Sequence, residues 1–542
     1  MEEKAIAFRR FGTMLDCSRN AVMTVEAVKK WIDLSAGLGY NLLMLYTEDT
    51  YELEGEPYFG YGRGRYTREE LKEIDAYGKL KGMEVMPCIQ TLAHLNAITR
   101  WPAYRPLIDI NDILLAGDER VYALIEAMFR TISECFTSKV VNIGMDEAHM
   151  IGRGRYYNQH GDTDRSQILI DHIIRVAEIG KRYGLTLCMW SDMFYRLVVG
   201  DYYDSSAAIN EEVRRRIPEN VQLIYWDYYS TDRERYQKML DSHAKIKDGT
   251  WFAGGLWKWT GFAPHNAYSL EATKAALSAC REAGVQDVFL TMWGDDGAEC
   301  SPFALLPALF YASELTKGET DEAAIRKRFE ERFGIAWEAF MQLDLPDSPN
   351  SWYEEICVIN AEKYLLYNDP FTGLMDSTLR GGEGEGYEAC AAKLAPLCGH
   401  PEWGYLFETQ KALCEVLAIK AGLGVRIREA YASGNKDALA AVIADCRTLS
   451  GRLKEFYDAF ARQWYRENKG QGFDVQDIRL GGLMRRVDHC REMLEAYQSG
   501  ALAHIGELEE PLLDIRGNGS VFQKNPLHYF NDWEKTVTAN VL

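Results

Sequence analysis

Apolar residues fall in two different rhythms along this chain, and the change from one to the other divides it. Up to about residue 307, short runs rich in β-branched residues alternate with longer stretches whose apolar positions recur three and four apart. The short runs predict strands at 9–16, 41–46, 83–90, 139–144, 185–190, 221–226, 250–255 and 287–293. The intervening stretches predict amphipathic helices, among them TVEAVKKWIDLSAGLG, TREELKEIDAYGKLKG, DERVYALIEAMFRTISECF, SQILIDHIIRVAEIGKRYG and SLEATKAALSACREAG, most of them closing on a glycine stop. Eight strand-helix alternations predict an α/β fold, a closed (β/α)8 TIM barrel, with a doubly wound open sheet as the rival.

Beyond Leu309 the strand rhythm stops. Helical periodicity runs through EAAIRKRFEERFGIAWEAFMQL, the stretch 405–431, DALAAVIADCRTLSGRLKEFYDAFARQWY and LMRRVDHCREMLEAYQ, and predicts an all-α C-terminal domain. The expected division is a catalytic barrel over 1–316 and a helical domain over 317–542. Glycine-rich stretches at 379–386 and 469–482 read as loops within the second part; the first is too degenerate to count as a phosphate loop. The wider stretch 464–482 is polar and aromatic, and reads as a cover over the barrel mouth, a homodimer contact or a solvated inter-helix loop.

Composition narrows the function. A chain that is 47% hydrophobic and 26% charged can bury a sizeable core. Its formal charge of −20 argues against nucleic acid as a partner, because backbone affinity comes from clustered Lys and Arg. Twelve cysteines without a C-x-x-C pair or a Cys/His cluster read as reduced core thiols, so neither a structural metal nor a cofactor is expected. The opening MEEKAIAFRRFG has no apolar signal core, and no later run reaches bilayer length, which predicts a cytoplasmic protein without membrane attachment.

Candidate chemistry sits where the strands stop. The run KVVNIGMDEAH ends a buried strand in adjacent acids, Asp146 and Glu147, just after Gly144. Other strand ends carry Asp16 with Arg19, Thr47 to Asp49, Thr91 to His94, Trp190 with Asp192, Trp226 to Tyr229, Trp257 with Trp259, and Trp293 with Asp295. In a parallel barrel these positions converge on one mouth. Tryptophans with acids and an arginine suit a monosaccharide, whose C–H face stacks on aromatic rings and whose hydroxyls need polar partners. Paired carboxyls then suggest glycosidic cleavage, and two acids within a few ångströms push one pKa up, suiting that group to donate a proton.

These residues carry a resemblance to a known family. The Asp146-Glu147 pair after Gly144, the LDCSR run ending at Arg19, QTLAHLNA around His94, and Trp190, Trp226 and Trp293 resemble glycoside hydrolase family 20, the β-N-acetylhexosaminidases, over residues 8 to 316. The helical part resembles that of its compact bacterial members. The resemblance implies that Glu147 is the general acid/base and that Asp146 orients the substrate's own 2-acetamido group, which acts as nucleophile and forms an oxazolinium ion with retention of configuration. It further implies an aromatic box of Trp190, Trp226 and Trp293 around the acetamido methyl, and Tyr228 or its neighbour Tyr229 on the acetamido carbonyl. Arg19 would hold hydroxyls at the non-reducing end with Asp295 opposite, and His94 would support the acid, paired with Asp49. Trp257 and Trp259 are additional and are expected to line the site.

Two departures stand out. Asn142 and Met145 occupy places where the family often has a histidine and a small residue, and, with the first strand starting near Arg9, the small domain that precedes many family barrels is not expected here. The expected partner is a small oligosaccharide or glycoconjugate. The competing readings are a catalytically silent sugar-binding protein on the same barrel and a glycosidase for non-acetylated sugars.

Overall fold

A computed structural model describes residues 8–207, 209, 211–354, 358–527 and 538. The first seven residues, part of the stretch expected to lack a targeting segment, and Cys357 lie outside the described residues. Eight parallel strands close into a barrel: β1 (Arg10–Asp16), β2 (Leu42–Tyr46), β3 (Glu84–Cys88), β4 (Val140–Asn142), β5 (Thr186–Trp190), β6 (Val221–Trp226), β7 (Trp251–Gly255) and β8 (Asp287–Met292). Each strand pairs with its sequence neighbours, and β1 closes the circle by pairing with β8, Arg10 against Asp287 through Leu15 against Met292. All eight predicted strands are present, with ends within a few residues of those read from the sequence. The open-sheet alternative is excluded by this closure.

Closure explains why the strand runs are apolar throughout rather than alternating, since one face meets the barrel interior and the other the helices. LLMLY in β2 and DVFLTM in β8 are buried at every position. Close neighbours fix residue size: a Cβ on Gly12 would come within 2.6 Å of the Leu42 side chain. Polar groups gather where strands begin. Arg10 bridges Glu84 at 2.7 Å and Asp287 at 3.4 Å, closing the N-terminal end of the barrel with paired charge.

The connecting helices start and stop as their sequences dictate. Thr24 caps the helix Val25–Leu38 by accepting from Ala27 N–H, and Gly39 ends it in the left-handed conformation. Thr67 and Glu70 form a reciprocal capping box on Arg68–Leu80. A short antiparallel pair, Ile108–Ile110 with Ile113–Leu114, is inserted after β3.

The chain divides into two compact units. The first comprises Met1–Leu256, Ser269–Trp293 and Ala308–Ile325; the second comprises Trp257–Tyr268, Gly294–Pro307 and Arg326–Leu542. This differs from the single cut after residue 316, because the segments that follow β7 and β8 belong to the second unit. Buried polar contacts within that unit hold them: Glu362 accepts from Phe262 N–H at 2.7 Å, and Lys363 and Arg479 meet Glu299 at 3.1 and 3.0 Å.

The second unit is helical as predicted, with long helices Gly404–Lys420, Lys436–Glu467 and Phe473–Ser499. The predicted glycine loop at 469–482 is corrected to a short turn. Gly472, at φ +92°, caps the next helix, and Gly481 and Gly482 lie inside it with open space around their Cα atoms. Phe473 anchors the start of that helix against Phe460 and Trp464, at ring distances of 5.8 and 5.6 Å. The 379–386 stretch is likewise half helix, since Glu383–Leu394 begins inside it. Among the described residues no helix is long and apolar enough to cross a membrane, and no group of three or more His, Cys, Asp or Glu is placed to hold a metal ion.

Candidate active site

The acid pair sits on an unusual piece of backbone. In a simple extension of β4, Asp146 and Glu147 would point to opposite sides. Here Gly144, Met145 and Glu147 all have positive φ, +69°, +70° and +54°, and the alternation breaks. Both carboxyls consequently face one imidazole: His94 Nε2 is 3.0 Å from Asp146 Oδ2 and 3.7 Å from Glu147 Oε2. Glycine is required at 144 for a second reason, because a Cβ there would fall 2.0 Å from Gln90 Oε1.

Gln90 is the hinge of this corner. Its side-chain carbonyl accepts from Met145 N–H at 3.3 Å, while its Nε2 donates to Asp146 Oδ1 at 2.9 Å and to Tyr46 Oη at 3.1 Å. Burial works to raise the Asp146 pKa, but the charge and contact of His94, aided by Gln90, outweigh it and hold the carboxyl below its ordinary range. The imidazole responds in the opposite sense. Burial works to lower His94, yet Asp146 prevails and its pKa is pushed up to about 9. Asp146 and His94 therefore form an ion pair at neutral pH. The expected partner for His94, Asp49, is corrected: Asp49 is engaged by Arg63 at 3.1 Å.

The two acids are unequally exposed. The Asp146 side chain is 11% accessible and that of Glu147 is 42%. One carboxyl is sealed against a cation, and the other can be reached from outside. The nearby acid that burial pushes up, to about 7, is Asp192, with Asp146 the next contributor.

The aromatic residues line up beside this corner. Trp190 and Trp293 lie 6.0 Å apart at 47°, Tyr46 meets Trp293 edge-on at 4.8 Å, and Trp226 stacks on Tyr228 at 5.2 Å. The chain turns at these two tyrosines, with the Asp227 carboxylate accepting from Tyr229 N–H. That turn leaves Tyr228 buried at 5%, its hydroxyl toward Thr291 and Trp293, and Tyr229 exposed at 42%. Arg19 lies over the Trp293 ring at 4.5 Å and over Tyr46 at 5.0 Å, with Asp16 at 3.3 Å and Glu48 at 3.5 Å.

Three sequence candidates, Trp257, Trp259 and Asp295, lie in the other unit. Trp257 is buried and stacks on Trp259 at 4.3 Å and edge-on with Tyr268 at 5.3 Å. Asp295 opens a single 3₁₀ turn, Asp295–Gly297, and is half-buried. Sequence reasoning gave no role to Gln90, Glu48 or Arg196. Glu48 is buried, accepts from Tyr46 Oη at 3.0 Å, and is pushed up to about 7 by burial against the opposing pull of Arg19. Arg196 carried a signal in WSDMFYR, where an acid and an arginine four apart follow a strand end.

Comparison with known proteins identifies the family. Residues 8–246 match the catalytic domain of glycosyl hydrolase family 20, and residues 338–525 match the Glycoside Hydrolase 20C C-terminal domain. Hexosaminidase D from Bos taurus is 26% identical over 239 residues, 42% of this chain and 64% of the bovine protein. Hexosaminidase D from Homo sapiens is 25% identical over 237 residues, covering 42% and 45%. The chain thus spans about half to two thirds of these curated relatives. The crystal structure of a beta-N-acetylhexosaminidase from Bacteroides fragilis aligns at 19% identity over 62% of this chain and 71% of that one, with a TM-score of 0.47. With both of its parts matched by models of one family, the chain belongs to glycoside hydrolase family 20.

Proposed function

We propose that the chain is an exo-acting β-N-acetylhexosaminidase that removes terminal N-acetylglucosamine or N-acetylgalactosamine from oligosaccharides or glycoconjugates, with retention. The observation that carries this reading is the inequality of the acid pair. Asp146 is buried against His94 and ionised, whereas Glu147 is accessible beside it. An enzyme using both carboxylates directly would need the second to reach the anomeric carbon; a carboxylate locked in an ion pair is suited instead to orient a neutral group and stabilise charge on it.

In the first step the acetamido oxygen attacks the anomeric carbon while Glu147 delivers its proton to the departing glycosidic oxygen. Asp146 accepts the acetamido N–H, and its negative charge offsets the positive charge that develops on the oxazolinium ring. Trp190, Trp226 and Trp293 enclose the methyl, and Tyr228 donates to the acetamido oxygen. In the second step Glu147 takes a proton from water, whose oxygen forms the new bond to the anomeric carbon as the bond from that carbon to the oxazolinium oxygen breaks, and the acetamido group is restored. Arg19 holds hydroxyls of the terminal sugar.

A chromogenic β-N-acetylglucosaminide tests the reading. Release that is blocked by a thiazoline mimic of the cyclised intermediate supports it. Sugar binding without release would favour the silent binding protein, and release indifferent to the thiazoline would favour direct use of both acids.

A further inference from the structure

The left-handed turn at Glu147 needs something to hold it, because a residue with a Cβ rarely rests at φ +54°. The contact that meets it comes from the next strand. Glu147 N–H donates to Asp192 Oδ2 at 3.0 Å, and Asp192, two residues beyond the end of β5, is wholly buried. On the same short helix Arg196 places its guanidinium 3.6 Å from Asp192 Oδ2 and 3.9 Å from Glu147 Oε1. One carboxylate thus grips the backbone of Glu147, and one cation lies between that carboxylate and the Glu147 side chain.

Neither group has its hydrogen-bonding capacity filled. Among the described residues, Asp192 Oδ1 and Arg196 Nε are buried without a hydrogen-bond partner. Leaving such atoms unmet disfavours the fold, so a purely structural pair at this position would be expected to close on itself. The residues are instead spread between two demands, one on the main chain and one on the side chain of the same glutamate.

We propose that Asp192 and Arg196 form a buttress that fixes Glu147 in the conformation from which it protonates the leaving group, making Asp192 a positioning residue for the acid. This rests on the assignment of Glu147 as general acid. Asp192 touches no reacting atom; it acts by holding the peptide whose side chain does. Loss of the buttress should therefore weaken proton delivery while leaving sugar binding alone.

The test compares Asp192→Ala, Asp192→Asn and Arg196→Gln on two N-acetylglucosaminides, one with an alkyl leaving group and one with an activated nitrophenyl group. Displacing the acid by about 1 Å should lower kcat/KM, which reports the leaving-group step, about 100-fold for Asp192→Ala on the alkyl glycoside. On the nitrophenyl glycoside, whose departure needs little proton transfer, the loss in kcat/KM should stay within about threefold. Asp192→Asn keeps an oxygen that can accept from Glu147 N–H and should restore most of the alkyl rate, while Arg196→Gln should show the same leaving-group dependence more weakly. Equal losses on both glycosides, or no rescue by Asp192→Asn, would overturn the buttress.

A crystal structure of Asp192→Ala decides the point without turnover. The Glu147 peptide should leave the left-handed region; a peptide unmoved refutes the inference. If Asp192→Ala does not fold, the Asp192→Asn and Arg196→Gln rates carry the same comparison. Wild type inert on both glycosides would refute the hexosaminidase reading, and the crystal structure would still decide whether Asp192 holds Glu147.

Discussion

Replacing Asp146 with asparagine should change a histidine more than it changes the fold. Asn keeps the shape and can still accept from Gln90, but it removes the charge that faces His94 Nε2 at 3.0 Å. In the native protein that charge raises His94 from an ordinary value of 6.5 to about 9 against the cost of burial. A rise of this size corresponds to roughly 3 kcal/mol of preference for the charged ring. Without Asp146, burial and Arg19 disfavour the imidazolium, while Glu147 at 3.7 Å and Glu48 still favour it, so the His94 midpoint should fall from about 9.

The sign of the stability effect follows. A group whose pKa is raised on folding contributes stability that is complete below its unfolded value and lost as pH rises through the folded one. The wild type should therefore lose about 3 kcal/mol from this pair between pH 6.5 and pH 9. Asp146→Asn should be less stable at pH 6 and show a smaller loss. Ring-nitrogen NMR of selectively labelled histidine, with His94→Gln to assign the resonance among the ten histidines, reads the midpoint directly. A His94 midpoint unchanged in Asp146→Asn would refute the ion pair as the cause.

Three further outcomes follow from the same geometry. Glu147→Gln should lower kcat/KM about 10²–10⁴-fold on alkyl glycosides and much less on activated aryl glycosides, as steady-state rates will show. Tyr228→Phe should cost about 1 kcal/mol in kcat/KM through the lost hydroxyl, whereas Tyr229→Phe, at an exposed position, should leave kcat/KM unchanged. Gly144→Ala should destabilise the protein in urea by about 1–3 kcal/mol or more, since it forces a side chain into the left-handed region and against Gln90.

The barrel was legible because closure demands apolar runs at every strand, and the chain supplies eight of them with helical stretches between. Tertiary packing decided what the local pattern could not. Gly481 and Gly482 look like a loop, yet they ride on the open side of a helix whose start is pinned by Phe473. The ends of β7 and β8 look like barrel loops, yet Glu362 and Lys363, about a hundred residues and some sixty residues away in sequence, claim them for the second unit. At the site, strand ends pointed to Asp146, Glu147, His94 and the tryptophans, because a strand end is visible in one dimension. The partners were not visible in that way. His94 meets Asp146 rather than Asp49 only because three positive φ values turn the acid pair, and backbone turns of that kind leave little trace beyond Gly144.

Successive fluorination of the acetamido methyl in a nitrophenyl N-acetylglucosaminide tests whether the substrate supplies its own nucleophile. Each fluorine withdraws electrons from the carbonyl oxygen and weakens its attack on the anomeric carbon. With the acetamido group as nucleophile, kcat should fall stepwise from acetamido to trifluoroacetamido, and the glucoside lacking the group should not be turned over. A kcat insensitive to fluorination, or comparable turnover of the plain glucoside, would contradict that role.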